Sequence, residues 1–172
     1  MTVSRPGKAT RSPVVAARCE RRNEEILEAA IRLFAKHGYA DADLQVLADE
    51  LGVGKGTLYR HFGNKQQLFL AAADRVMQML WKHIDASVEG AGDPLCRIER
   101  AIHGYLEFFH LHPEAVEIFI QERAVFRDRK RPTYFVHREA NVERWRAIYR
   151  DLIAEGRVRP LGPERITDVL GD

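Results

Sequence analysis

The chain has 172 residues, 45% hydrophobic and 30% charged, with a formal net charge of +2, so it can bury a core as one long domain or two small ones. No run of about 18 uncharged apolar residues is present and the N-terminus lacks the apolar centre of a signal peptide, so we expect a cytoplasmic protein without membrane association. Cys19 and Cys96 are far apart and lack a CxxC or Cys/His pattern, so we expect neither a zinc site nor a disulfide.

Residues 1–19 are predicted to form a disordered basic arm. Within residues 1–22, Glu20 is the one acidic residue among several basic ones. Such a segment suits contact with a phosphate backbone or a minor groove, and an arm that only increases solubility is the alternative. The basic residues are Arg5, Lys8, Arg11, Arg18, Arg21 and Arg22.

The first predicted helix runs from about Glu20 to His37, and Gly38 ends it because glycine accepts the left-handed backbone conformation. The next segment, residues 44–62, has the spacing of a helix-turn-helix, with Gly52 at the turn. Its inward apolar positions are Leu47, Ala48, Leu51, Val53, Leu58 and Phe62. Its outward polar positions, which suit phosphates and base edges in a major groove, are Lys55, Thr57, Tyr59, Arg60 and His61.

Four more helices are predicted after the helix-turn-helix. The first follows the N-cap residue Asn64, and glycine or proline separates the others. They span residues 65–88, 94–112, 113–127 and 133–155. The buried stripe expected on the second of them is Leu95, Ile98, Ile102, Tyr105 and Phe109. A further helix is expected from Pro163, with Ile166, Val169 and Leu170 on its apolar side.

The helix-turn-helix resembles the N-terminal domain of the TetR/AcrR family of bacterial transcriptional regulators. The resemblance covers about residues 20–70 and depends on many positions at fixed spacing. They are Gly38-Tyr39, Leu47-Ala48, Gly52-Val53, the run from Lys55 to Phe62, Lys65 and Leu68-Phe69.

The resemblance implies an all-α homodimer whose paired recognition helices bind a palindromic operator in double-stranded DNA, and which is released when a small molecule binds. It implies a three-helix DNA-binding domain at residues 20–66 and a helical effector-binding and dimerisation domain at residues 67–172. The family's last helices usually build the dimer interface, and here they look incomplete. Residues matching the family's DNA-contacting set are Lys55, Gly56, Thr57, Tyr59, Arg60, His61 and Lys65.

Two positions depart from the family pattern. Gly54 stands where Ser or Thr is usual, so the recognition helix lacks a side-chain acceptor at its cap. Asp43 stands where Thr or Ser is usual, near the start of the preceding helix; it is a good N-cap but would repel a nearby phosphate. One familiar phosphate contact is therefore placed in question at each position.

The second domain is rich in aromatic residues, which indicates a cavity for an apolar or aromatic effector as an alternative to an ordinary helical core. His103 would fix one polar group of the effector. The predicted effector-binding residues are Trp81, His103, Tyr105, Phe109, Phe119 and Trp145.

Two other function classes remain open. Glu107 and His110 form a Glu-x-x-His element like those of di-iron helical bundles, and His103 shares their helix face. The chain has no second copy of this element, so we expect no enzyme, no metal and no cofactor. A helical interaction module without DNA binding is the other alternative. We expect a transcriptional regulator that acts as a repressor.

Overall fold

The computed structural model describes residues 13–162 and residue 165, and within these residues it contains seven α-helices and no β-strand. The predicted all-α fold is therefore confirmed. The helices are α1 (Pro13–Asp41), α2 (Leu44–Glu50), α3 (Lys55–Phe62), α4 (Lys65–Val88), α5 (Pro94–Leu111), α6 (Pro113–Val125) and α7 (Thr133–Ala154). Two predicted features, the basic residues before Pro13 and, apart from residue 165, the helix expected from Pro163, lie outside the described residues.

Helix α1 is longer than predicted. It begins at Pro13 instead of near Glu20, so residues 13–19 are helical and do not belong to a disordered arm. The predicted stop at Gly38 is a break inside α1, where φ is 76° and ψ is 160°, and the chain returns to helical geometry up to Asp41. Because a side chain at that φ would be strained, glycine permits this change of direction.

Helices α1, α2 and α3 pack around one apolar core, as a helix-turn-helix domain requires. The Asp43 side chain caps α2 by accepting a hydrogen bond from the Gln45 N–H at 2.8 Å. Gly52, with φ of 64°, forms the turn between α2 and α3, and the Val53 N–H then donates to the Ala48 carbonyl at 2.9 Å. The buried side chains of this core include Ile26, Phe34, Leu44, Leu47, Ala48 and Leu58.

Helix α4 has the predicted bounds and connects the two halves of the structure. Asn64 caps it by accepting a hydrogen bond from the Gln67 N–H at 2.8 Å. It packs against α1 and α3 of the helix-turn-helix domain and also against α5, α6 and α7. Its buried residues extend along almost its whole length: Leu68, Phe69, Ala72, Ala73, Val76, Met77, Leu80 and Ile84.

The buried face of α5 differs from the predicted stripe. Leu95 and Ile102 are 39% and 42% exposed, whereas Ala101, Gly104 and Phe108 are buried. A Cβ atom at Gly104 would lie only 2.6 Å from Ser87 Oγ of α4. This close approach of α4 and α5 requires glycine at the contact.

Helices α6 and α7 are joined through a buried carboxylate. Glu122 is 2% exposed, and its Oε1 accepts hydrogen bonds from the Thr133 N–H and the Thr133 hydroxyl, each at 2.9 Å. The Arg129 guanidinium donates to the same oxygen. These bonds satisfy a charge that would otherwise be costly to bury, and they fix the start of α7 against α6.

An aromatic cluster joins the helix-turn-helix domain to α4 and α6. The Tyr39 ring lies 5.4 Å from the Phe69 ring and 5.0 Å from the Phe126 ring, and the Phe34 and Phe69 rings are 5.0 Å apart. Gln121 Nε2 also donates to the Phe34 carbonyl at 3.0 Å. The end of α6 is thereby tied to α1 beside the Gly38 break.

Candidate nucleic-acid interface and cavity

Helix α3 has one buried anchor and a polar outer surface. Leu58 is 1% exposed and belongs to the core, whereas the adjacent Tyr59 is 41% exposed. Arg60 and His61 are also exposed. Burial of Leu58 therefore fixes the rotation of α3 about its axis. With this rotation, the neighbouring side chains of Tyr59, Arg60 and His61 face outwards.

Lys55 and Asp43 form an ion pair at the edge between α2 and α3. Lys55 Nζ lies 3.2 Å from Asp43 Oδ1, the oxygen that also caps α2. The hydrogen bond from the Gln45 N–H, and then the bond from Lys55, hold the pKa of the exposed Asp43 carboxyl below its usual value. Asp43 therefore stays negatively charged. Besides the repulsion of a nearby phosphate expected from the sequence, this carboxylate orients the Lys55 side chain.

Three more residues of the predicted set are held by hydrogen bonds on this surface. Lys65 Nζ donates to the Ala40 carbonyl at 2.9 Å, with its charge 5.2 Å from the centre of the Tyr39 ring. His61 Nδ1 lies 3.0 Å from Asn23 Oδ1 of α1. Arg60 donates to the Thr57 hydroxyl at 3.3 Å. These contacts limit the conformations of long side chains without burying Arg60 or His61.

The N-terminus of α3 lies on the same surface. Gly54 occupies the N-cap position and supplies no side-chain hydrogen bond, although its carbonyl accepts from the Thr57 N–H at 2.7 Å. The first backbone N–H groups of α3, at Lys55 and Gly56, therefore have no side-chain cap. Such groups at a helix N-terminus favour an anionic partner such as phosphate.

A second candidate site is a cavity of about 350 Å³ between α4, α5 and α7. Two side chains of α5 in its lining, Ile102 and Leu106, are exposed. The described residues that line it are Met77, Leu80, Trp81, Ile84, Ile98, Ala101, Ile102, Tyr105, Leu106, Tyr134, Arg138, Val142, Trp145 and Tyr149. A mostly apolar lining with a few polar groups is typical of small-molecule sites.

Of the predicted effector-binding residues, Trp81, Tyr105 and Trp145 line this cavity. Phe109 and Phe119 do not; their ring centres are 6.4 Å apart, in a row of aromatic packing that continues to Tyr134. His103 does not line it either, because α5 is rotated so that this side chain is exposed. The structure therefore places His103, Phe109 and Phe119 outside this cavity.

Several lining residues were missed, and α7 carries the signal that would have found them. Tyr134, Arg138, Val142, Trp145 and Tyr149 are spaced by three or four residues, so they form one stripe along a helix face. Of the residues in this stripe, only Trp145 was among the predicted effector-binding residues. Its single charged member, Arg138, is the side chain that distinguishes the stripe from an ordinary apolar face.

Residues 26–72 match the family model of bacterial regulatory proteins of the tetR family. The HTH-type transcriptional regulator YhgD of Bacillus subtilis is 30% identical over 148 residues, which are 83% of this chain and 75% of YhgD. The chain belongs to the TetR family.

Two further regulators, AcnR and PfmR, are also similar to this chain. The transcriptional repressor AcnR of Corynebacterium efficiens is 48% identical over 50 residues, 29% of this chain and 27% of AcnR. The crystal structure of the TetR-family regulator PfmR of Thermus thermophilus is 26% identical, covers 84% of this chain and 79% of its own, and gives a TM-score of 0.67. The chain thus spans most of YhgD and PfmR, but 40% of the length of the HTH-type transcriptional regulator YerO of Bacillus subtilis and 27% of the length of AcnR.

These relatives and structural neighbours are regulators, in agreement with the expectation that this TetR-family chain is not an enzyme. In the Glu-x-x-His element, Glu107 instead pairs with His83, whose Nε2 lies 3.0 Å from Glu107 Oε2. No cluster of three or more His, Cys, Asp or Glu side chains suited to a metal ion occurs among the described residues. None of the described helices is long and apolar enough to span a membrane.

Proposed function

We propose that this protein is a transcriptional repressor that binds a palindromic operator as a homodimer. The observation that carries the proposal is the orientation of α3, where Leu58 is anchored in the core and Tyr59, Arg60 and His61 face outwards. One exposed helix following a tight turn is the element that helix-turn-helix proteins place in the major groove. Repression as the direction of control is supported by the similarity of this domain to AcnR.

In this proposal residues 20–66 form the DNA-binding domain. Positively charged side chains and the free N–H groups of α3 contact phosphates, while hydrogen-bonding tips on the outer face of α3 reach base edges. The proposed DNA-contacting residues are Lys55, Gly56, Thr57, Tyr59, Arg60, His61 and Lys65.

Residues 67–172 form the effector-binding and dimerisation domain. A small apolar or aromatic effector binds in the cavity between α4, α5 and α7, against Trp81, Tyr105 and Trp145. It acts by preferring the conformation in which the two recognition helices no longer fit successive major grooves, since a ligand shifts only an equilibrium whose two states it binds unequally. Two physical links serve this coupling: α4, which packs in both domains, and the aromatic cluster with Gln121 between α6 and α1.

The test of DNA binding is the selection of genomic DNA fragments by the purified protein, followed by affinity measurements at several salt concentrations. We expect the selected fragments to share an inverted repeat and the affinity to fall steeply with salt. Each phosphate contact contributes about −0.9 to the slope of log K against log salt. Arg60→Gln removes about one such contact, so it should make the slope less negative by about 0.9.

Arg97→Gln is the matched control. It removes the same charge from an exposed position on α5, far from α3 in the chain, and should leave the slope unchanged. Fragments without a common repeat, or a slope near zero for the unaltered protein, would contradict the proposal. Release of a selected fragment by compounds that fill the cavity tests the effector step separately.

A further inference from the structure

We propose that the N-terminal turns of α1 form a second DNA-contacting surface, in which Arg18 and Arg21 bind phosphates beside the major groove that α3 enters. This inference rests on the proposed DNA binding and goes beyond it. The DNA-contacting residues proposed above all lie in α3 or at the start of α4. The inference adds two residues of α1 to that surface.

The first argument is that the beginning of α1 projects beyond the core. The helix begins at Pro13, but the first buried side chain among the described residues is Ile26. The side chains of residues 17–25 are exposed or half-buried. At 1.5 Å of rise per residue, about 20 Å of helix therefore precedes the core. Polar side chains on this part of α1 remain accessible to a partner.

The second argument is where this part of α1 lies. Arg22 Nη2 donates to the Leu51 carbonyl at 2.6 Å, and Leu51 is the C-cap residue of α2. Asn23 Oδ1 lies 3.0 Å from Nδ1 of His61, which belongs to the proposed DNA-contacting set. Arg18 precedes Asn23 by five residues, or about 7.5 Å along the helix axis. The start of α1 is therefore next to the helix-turn-helix turn and the end of α3, at the edge of the proposed DNA surface.

The third argument is the charge of the projecting turns. Arg18, Arg21 and Arg22 have the spacing i, i+3 and i+4, so they lie on one face of α1. Arg22 pairs with Glu25 at 2.7 Å. Arg18 and Arg21 are exposed, and neither forms an ion pair or a hydrogen bond in the part of the chain that the structure describes. Two positive charges on this face are therefore available to an anion.

Nearby acidic residues do not offset these two charges. Glu24, three residues after Arg21, pairs with Arg75 of α4 at 3.2 Å. Arg18 has arginines, not acidic residues, at the positions three and four residues after it. Like charges at these spacings repel each other on a helix surface. An external anion on this face relieves that repulsion.

Phosphates of a DNA backbone are the anions that fit this position. A guanidinium is always charged and donates paired N–H groups to phosphate oxygens. Because the face adjoins the end of α3, entry of α3 into a major groove brings the phosphates that border the groove close to it. A basic face that only increases solubility is the alternative, and it predicts no contribution to DNA binding.

The experiment measures affinity for the selected operator fragment at several salt concentrations. Arg18→Gln/Arg21→Gln removes both charges. We expect the slope of log K against log salt to become less negative by about 0.9 for each lost contact, or about 1.8 for each bound protomer. The affinities for the operator and for unrelated DNA should fall by the same factor, within about twofold, because phosphate contacts do not read sequence.

Two matched variants isolate the role of these charges. Arg18→Lys/Arg21→Lys keeps both charges and should keep the slope within about 0.5 of the unaltered protein. Lys82→Gln/Arg97→Gln removes two exposed charges from α4 and α5, and it should also keep the slope. Lys82 lies about 25 Å along α4 from Lys65, so this control is far from the proposed DNA surface.

A positional measurement does not depend on these variants. The chain has two cysteines, Cys19 next to Arg18 and Cys96 on α5, and both are half-buried. In Cys96→Ser, an iron chelate that cleaves DNA is attached to Cys19, and in Cys19→Ser it is attached to Cys96. We expect the Cys19 conjugate to cleave the operator next to each half of the inverted repeat. The Cys96 conjugate should not cleave it.

The proposal is overturned if Arg18→Gln/Arg21→Gln keeps the slope of the unaltered protein, if it changes the selectivity for the operator, or if the Cys19 conjugate leaves the operator intact. Should the double variant fail to fold, as judged from its circular dichroism, the cleavage experiment still decides the question. An unaltered protein that binds no operator contradicts the proposed function and this inference together. Operator binding that does not depend on the two arginines rejects this inference alone.

Discussion

Removal of the Glu122 side chain should lower the free energy of unfolding by more than the loss of its hydrogen bonds with Thr133 and Arg129 alone. The carboxylate is 2% exposed and accepts from the Thr133 N–H, the Thr133 hydroxyl and the Arg129 guanidinium. In Glu122→Ala the Thr133 N–H loses its acceptor while Thr133 remains buried, at a cost of about 1–3 kcal/mol. The guanidinium loses its counter-charge but is one-third exposed, so water replaces part of that interaction.

Adding the contribution of the lost ion pair, we expect Glu122→Ala to lower the free energy of unfolding by about 3–5 kcal/mol, the range for a buried pair that loses one partner. Glu122→Gln should cost less, because an amide oxygen still accepts a hydrogen bond from Thr133. The start of α7 should also become less fixed, and Tyr134 and Arg138 of the cavity lie there.

The measurement is urea unfolding followed by circular dichroism, compared at a constant m-value so that midpoint shifts report stability. Glu117→Gln, an exposed change on the same helix, is the control and should stay within about 0.5 kcal/mol of the unaltered protein. If Glu122→Ala proves as stable as this control, the argument that the carboxylate holds α6 to α7 is refuted.

Two further predictions concern α3 and the contact of α4 with α5. We expect weaker operator binding, with little change in melting temperature, from Tyr59→Phe and from His61→Ala. Leu58→Ala should instead lower the free energy of unfolding by about 2–5 kcal/mol, because it empties a fully buried position. Equal destabilisation by all three changes would reject a role of Tyr59 and His61 in DNA contact. Gly104→Ala should destabilise the protein by about 1–3 kcal/mol because its Cβ would lie 2.6 Å from Ser87 Oγ. Combined with Ser87→Gly, the same change should cost much less, and additive effects in a double-mutant cycle would disprove the steric explanation.

Most helix limits and the outer surface of α3 were predictable because their causes are local. Asn64 caps α4 through a bond to the Gln67 N–H, and Asp43 caps α2 through a bond to the Gln45 N–H; each partner is two or three residues away in the chain. Gly38 and Gly52 adopt positive φ where the sequence predicted a stop and a turn. The start of α1 was misplaced because charge composition, which suggested disorder before Glu20, does not exclude a helix.

The burial of α5 and the membership of the cavity were decided by tertiary structure. The apolar spacing of α5 fits more than one rotation about the helix axis, and the close contact between Gly104 and Ser87 selects the rotation that buries Phe108 and exposes His103. The same packing leaves space between α4, α5 and α7, and Arg138 borders that space. No local pattern reveals that a partner helix will be so near.

The sequence by itself therefore determined the helical class, the family and the exposed outer face of α3. These features depend on helix caps, on turns and on the burial of Leu58, all of which involve residues close together in the chain. Tertiary structure alone decided that Glu122 is a buried link, that Arg138 belongs to the cavity and that His103 does not. The physical reason is that helical periodicity fixes which residues share a face, whereas the packing of neighbouring helices decides which face is buried and where space remains.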